Sequence, residues 1–333
     1  RVDEFGKKFD VPQERRFTGL KGYLELLESD IDAVAIESPP YFHPQQAADA
    51  VEAGVHVYLA KPIAVDVPGC LSIADSGKKA SEKNLCFLVD FQTRANDYFI
   101  EALKQVHNGG IGDFAFGEAI YHADTPFKRM HPYVDKANPS KEDWIRAWGL
   151  SRELSGDIIT EQNIHTLDVM SWIMSSNPLK ATGTCGHLIR DKKYCHDYFA
   201  LIYDYPDNVG ITFSSKQFNG HGTQPEGIRN RMFGSKGVLE TEYGGRVLIR
   251  GENFYRGGNT SDLYPQGART NIETFYDDVQ NGNTSNSTVE PSVQSNLITI
   301  LGRTAAYEGT SVTWDEMMDN PAKMEFDLSG LQE

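Results

Sequence analysis

The stretch that decides the fold class is DAVAIESPPYFHPQQAADAVEAGVHVYLAKPIA, residues 32–64. DAVAI is a short apolar run that stops at a proline turn. HPQQAADAVEAG reads as a helix, with Pro44 suited to its first turn and Gly54 to its C-terminal cap. VHVYLA is a second apolar run. Strands of near-continuous apolar residues separated by helices pair in parallel and are covered on both faces. Outward from this core, GLKGYLELLES and VPGCLSIADSGKKASEKN read as further helices and LCFLVDF as a third strand. The expectation is a doubly wound α/β, Rossmann-like domain over residues 1–95. Ligands of such sheets bind beyond the carboxyl ends of the strands. AIESPPYFH, YLAKP and VDFQTR all fall there.

After a helix in DYFIEALKQVHNGGIG the texture changes. DYFALIYDY and VGITFSSKQF flank the turn PDN, and GVLETEY and RVLIRGE flank Gly244–Gly245, which is the pattern of antiparallel hairpins. SGDIITEQNIHTLDVMSWIM reads as one helix, and a late helix, VQSNLITILGRTAAYEG, precedes SVTWDEM. GGNTSD and NGNTSNST read as surface loops. Residues 96–333 are therefore expected to form an α+β domain around a mostly antiparallel sheet. Two domains also suit the length of 333 residues.

A formal net charge of −15 argues against a general binder of nucleic acid or of anionic membranes, both of which lean on clustered Lys and Arg. No apolar run reaches the roughly 18 residues of a membrane-spanning helix. Cys70, Cys86, Cys185 and Cys195 lack C-x-x-C spacing and His companions, so free thiols and no metal site are expected. The sequence opens on Arg1, inside an amphipathic helical pattern with Val2, Phe5 and Phe9 on one face. It is expected to continue upstream, so any export signal lies outside these residues and a cytoplasmic setting is the default.

Lys61 follows a strand and precedes Pro62, which fixes its own φ. Such a lysine is either a solvated strand end or an ammonium placed over the ligand crevice, where it stabilises an alkoxide or exchanges a proton. Glu161, His165 and Asp168 fall at spacings of four and three, one face of a helix. Read as surface, they are a solvated cluster. Read as chemistry, Glu161 orients His165 and raises its basicity, so that the imidazole moves a proton near neutral pH. Metal ligation by these three ranks lower. His43 reads as a helix cap or a backbone contact. Trp144 and Trp148 stand four apart on a helix, in the core or flooring a sugar site. Gln92 and Arg94 are hydrogen-bonding candidates for a polyhydroxylated or acidic ligand.

The same stretch, residues 32–64, resembles the segment from the T-P-x-x-x-H strand end to the E-K-P motif in the Gfo/Idh/MocA family, the glucose–fructose oxidoreductase, inositol dehydrogenase and rhizopine catabolism group. SGDIITEQNIHTLDVMSWIM is similar to the family's second signature, an acid four residues before a helical His. MFGSKGVLE and SVTWDEM are also similar. The resemblance implies an N-terminal Rossmann domain that binds NAD or NADP and a C-terminal domain with a large open sheet, often the interface of a dimer or tetramer. It implies a sugar, polyol or related carbonyl substrate. Lys61 matches the lysine of E-K-P and His165 the catalytic histidine, while Glu161 stands where many relatives have Asp. Ser38, Pro39 and His43 fall near the cofactor, and Gln92, Arg94, Trp148 and Asp168 are the substrate-binding candidates. Ala60 replaces the usual Glu of E-K-P, and Asn163 stands where Gly is common. G-x-G-x-x-G, which holds pyrophosphate, is found nowhere in the chain, so the Rossmann-like domain reads as incomplete and the chain as given is expected to bind the nucleotide weakly. The function expected is hydride transfer between nicotinamide and a sugar or polyol. Its rivals are a redox-neutral lyase or glycoside-cleaving enzyme with a retained NAD, and a non-catalytic NAD- or sugar-sensing protein.

Overall fold

The structure, a computed structural model, describes residues 2–218 and 227–333. Strands β1 (Ala33–Ile36), β2 (His56–Ala60) and β3 (Phe87–Asp90) form a parallel sheet in the order β1-β2-β3, with Leu59 between Ile36 and Val89. Val57, Leu59 and Val89 are buried because helices His43–Glu52 and Val67–Glu82 lie against the sheet. Asp66 starts the second of these helices, its carboxylate accepting from Gly69 N at 2.8 Å. Beyond β3, Gln92–Ala95 makes a 3₁₀ turn.

The second sheet is built from β4 (Phe114–Ala123), β5 (Lys180–Gly186), β6 (Tyr198–Asp204), β7 (Gly210–Gln217), β8 (Gly227–Gly234), β9 (Gly237–Glu242), β10 (Arg246–Gly251), β11 (Tyr255–Asn259) and β12 (Val312–Thr313). Its order is β11-β10-β9-β8-β4-β7-β6-β5-β12, antiparallel except where β4 meets β7. Alternation decides the faces. Ala119, Tyr121, Leu201, Phe213 and Met232 are buried, and helices Ile164–Met174 and Val289–Glu308 cover that side. On the other side Phe116 is 50% exposed and Ile202 49%. The Rossmann-like parallel sheet followed by a large, mostly antiparallel one is the expected fold class.

Several local expectations change. Residues 157–174 are two helices, Asp157–Glu161 and Ile164–Met174, broken at Gln162–Asn163, not one continuous helix. Trp148 leaves helix Lys141–Arg146 and sits in the 3₁₀ turn Trp148–Leu150. The glycines of GGNTSD belong to β11, Gly258 pairing with Val247 of β10, rather than looping freely. Helix Leu263–Asn281, absent from the sequence reading, packs on the 3₁₀ turn after β3. All four cysteines are free.

Candidate active site

The carboxyl ends of the three parallel strands open into a cavity of about 430 Å³. From β1 come Glu37, Ser38 and Pro40, from β2 Lys61 and Pro62, and from β3 Asp90 and Gln92. The second sheet and its helices close the other side with Tyr121, Gln162, His165 and Tyr243.

Lys61 is mostly buried, its side chain 14% exposed. Its Nζ donates to the backbone carbonyl of Glu161 at 2.9 Å and lies 3.7 Å from Glu161 Oε1. Glu161 Oε2 accepts from Gln162 Nε2 at 2.6 Å, and Gln162 Oε1 accepts from Tyr121 Oη at 2.8 Å. A chain of two hydrogen bonds thus runs from β4 to the Glu161 carboxylate, which forms an ion pair with the ammonium. The helix break at Gln162 turns that side chain into it.

Glu161 does not orient His165, contrary to expectation. The two would face alike on an unbroken helix, but the break turns the Glu161 carboxylate toward Lys61 and Gln162. His165 Nδ1 is buried without a hydrogen-bond partner, and the ring lies 5.0 Å from that of Tyr243. Burial, with the Lys61 charge second, holds the imidazole well below its ordinary value of 6.5. It is therefore uncharged at neutral pH, and its basicity is lowered rather than raised.

His43 contacts backbone, as its position after SPPYF suggests. Its Nδ1 lies 2.9 Å from Pro62 O and its Nε2 2.7 Å from Ser38 O, which ties the end of β1 to the turn after Lys61. Ser38 Oγ donates to Gln46, and Pro39 lines an adjoining cavity of about 680 Å³. Trp148 lines both cavities. Gln92 donates to Asp90 Oδ2 at 3.1 Å and accepts from Tyr243 Oη at 3.4 Å.

Arg94 and Asp168 do not line this cavity, which corrects their grouping with the substrate contacts. Arg94 Nε and Nη2 each reach Asp168 Oδ1 at 2.9 Å, and Ser295 Oγ donates to the same oxygen at 2.7 Å. Asp168 is fully buried on the core side of its helix, where the Arg94 charge and the Ser295 hydroxyl satisfy it.

The sequence reading missed Glu37, Asp90, Tyr121, Gln162, Tyr243 and Tyr264. Glu37 and Asp90 stand at the same strand ends that single out Lys61, so that rule finds them. Burial raises both carboxyls, each opposed in part by Lys61. The tyrosines and Gln162 come from distant segments and carry no local signal.

No group of three or more His, Cys, Asp or Glu among the described residues is arranged to hold a metal ion. The residues present do fit the reactive end of a nicotinamide nucleotide. Strand ends converge on a cavity lined by the uncharged His165 imidazole and the largely buried Lys61 ammonium. No residue here is assigned to the pyrophosphate.

Two family models match the chain: the oxidoreductase family with NAD-binding Rossmann fold over residues 1–90, and the GFO/IDH/MocA C-terminal domain over residues 99–240. The chain belongs to the Gfo/Idh/MocA family, an NAD-binding oxidoreductase family. It is 26% identical over 195 residues to an uncharacterized oxidoreductase from Streptococcus pneumoniae, a match covering 58% of this chain and 47% of that protein. It is 31% identical over 260 residues to an alpha-N-acetylgalactosaminidase from Shewanella oneidensis, covering 73% and 54%. The chain thus spans about half the length of these curated relatives. A scyllo-inositol dehydrogenase from Lactobacillus casei, solved with NAD(H) and scyllo-inositol, shares the fold at a TM-score of 0.66 and 22% identity, covering 88% of this chain and 83% of that one. No helix among the described residues is long and apolar enough to cross a membrane.

Proposed function

We propose that the protein is an NAD(P)-dependent oxidoreductase acting on a sugar, polyol or related carbonyl compound. The observation that carries this reading is one cavity lined by Lys61 from the parallel-sheet side and His165 from the antiparallel side. Bound nicotinamide supplies the hydride chemistry. His165, kept uncharged by burial, takes the proton of the substrate hydroxyl. Lys61, held by Glu161, stabilises the charge that develops on the same oxygen. Trp148, Tyr243 and Tyr264 offer aromatic faces to the C–H surfaces of a sugar ring. The test is a panel of sugars and polyols given to the full-length protein with NAD or NADP. Stoichiometric interconversion of oxidised and reduced nicotinamide with one of them supports the reading.

The identity to an alpha-N-acetylgalactosaminidase favours a second reading, redox-neutral cleavage of a glycoside with a retained nucleotide. Release of free sugar from an aryl glycoside over many turnovers, with no net change in nicotinamide, would establish it in place of the first.

A further inference from the structure

Helix Val289–Glu308 carries an arginine that neither the reaction nor the family signatures use. Arg303 is 4% exposed. Its Nη1 donates to Gly156 O at 2.7 Å and its Nη2 to Val65 O at 2.8 Å. Val65 lies in the turn that leaves Lys61, and Gly156 opens the helix that ends at Glu161. One neighbour on the same helix reinforces each half. Asn296 Nδ2 donates to Ala64 O at 3.1 Å, and Thr299 Oγ1 lies 3.0 Å from Thr160 Oγ1. One helix face therefore holds both segments whose far ends meet as the Lys61–Glu161 contact.

We propose that Arg303 is a positioning residue of the active site, a clamp that sets the distance between Lys61 and Glu161 by fixing the two backbone segments that bear them. A guanidinium suits this because its donors form a rigid planar fork that fixes the spacing of two carbonyls, whereas an ammonium is a compact donor on a flexible stem. The clamp acts from behind the active-site cavity: Arg303 lies outside its lining and lines a separate cavity of about 640 Å³. It adjusts how far Lys61 leans toward Glu161 or toward the reacting oxygen.

The inference rests on the proposed function for its catalytic consequence, but its structural half is read without turnover. The test is the rate of acylation of Lys61 in the full-length protein, followed by mass spectrometry, for wild type, Arg303→Lys and Arg303→Met. Arg16→Met is the control: the Arg16 side chain is largely buried, 11% exposed, and its Nε also donates to a carbonyl, Val11 O at 2.9 Å, apart from both clamped segments. Lys61 should react several-fold faster in both Arg303 variants, more so in Arg303→Met, and at the wild-type rate in Arg16→Met. On a substrate from the sugar panel, Arg303→Lys should lower kcat about 10- to 100-fold with KM little changed, the signature of misplaced groups. Unchanged Lys61 reactivity in folded Arg303→Lys, or an equal rise in Arg16→Met, would overturn the clamp. Wild-type protein without turnover, but with the predicted reactivity pattern, would end the oxidoreductase reading and leave the clamp standing.

Discussion

Lys61 donates to the backbone carbonyl of Glu161, one hundred residues away, while the Glu161 carboxylate lies 3.7 Å from the same ammonium. The contact ties the end of a parallel strand to the break between two helices. Both side chains are largely buried, so removing one charge strands the other at a cost of about 3–5 kcal/mol. Lys61→Met should lower the denaturant midpoint accordingly, and adding Glu161→Gln should recover part of the loss. Strictly additive losses in the double variant would show that the two charges do not interact.

His43 makes stability depend on pH. Burial, its largest influence, pulls the imidazole down to about 4, with the Lys61 charge adding and the two backbone contacts opposing. A histidine depressed on folding binds fewer protons folded than unfolded between 6.5 and about 4. Its contribution is therefore complete above 6.5, shrinks as the pH falls through that window, and levels off below about 4. The full swing is about 3 kcal/mol. His43→Asn should flatten the slope of unfolding free energy against pH in that range. An unchanged slope would show that His43 does not carry it.

Arg94 and Asp168 form a structural pair. Arg94→Ala leaves the Asp168 carboxylate buried with Ser295 as its remaining side-chain partner, and should cost about 3–5 kcal/mol in chemical denaturation. KM for the sugar should stay within experimental error of wild type. A large rise in KM at unchanged stability would return Arg94 to the substrate site.

The outer face of the antiparallel sheet bears Phe116 stacked on Phe233 at 4.5 Å, with Ile202 half exposed. Exposed aromatic and aliphatic side chains on this face, beside the Glu118–Arg231 ion pair, suit an association surface. The protein should sediment as a dimer or tetramer at micromolar concentration, and Phe116→Glu should shift it toward monomer. Monomeric wild type would contradict the expectation.

The parallel sheet was legible because its strands are bounded apolar runs, and Lys61 because it stands where one of them ends. His165 was legible from its helical signature. The partner of Glu161 was not, since spacings of four and three assume an unbroken helix. The break at Gln162–Asn163 contains neither proline nor glycine to announce it. Helix Leu263–Asn281 was hidden by Pro265, Gly267 and a mostly polar face, and Arg303 by its distance along the chain from both carbonyls it binds. Local patterns report elements and their ends; side chains that join distant elements leave no periodic trace.

The central claim is that Lys61 and His165 act on one substrate oxygen. Its most direct test is kcat and the pH profile of kcat/KM for full-length wild type, His165→Asn and Lys61→Met on the substrate found by the sugar panel. A general base contributes about 10²–10⁴-fold, so His165→Asn should lower kcat by that much. Lys61→Met should lower it by about 10²–10³-fold through lost charge stabilisation. Because burial holds the imidazole well below 6.5, wild-type kcat/KM should stay level as the pH drops through 6.5 and fall only in more acidic solution. Undiminished kcat in either variant, or an acid limb at or above 6.5 that vanishes with His165→Asn, would contradict the account.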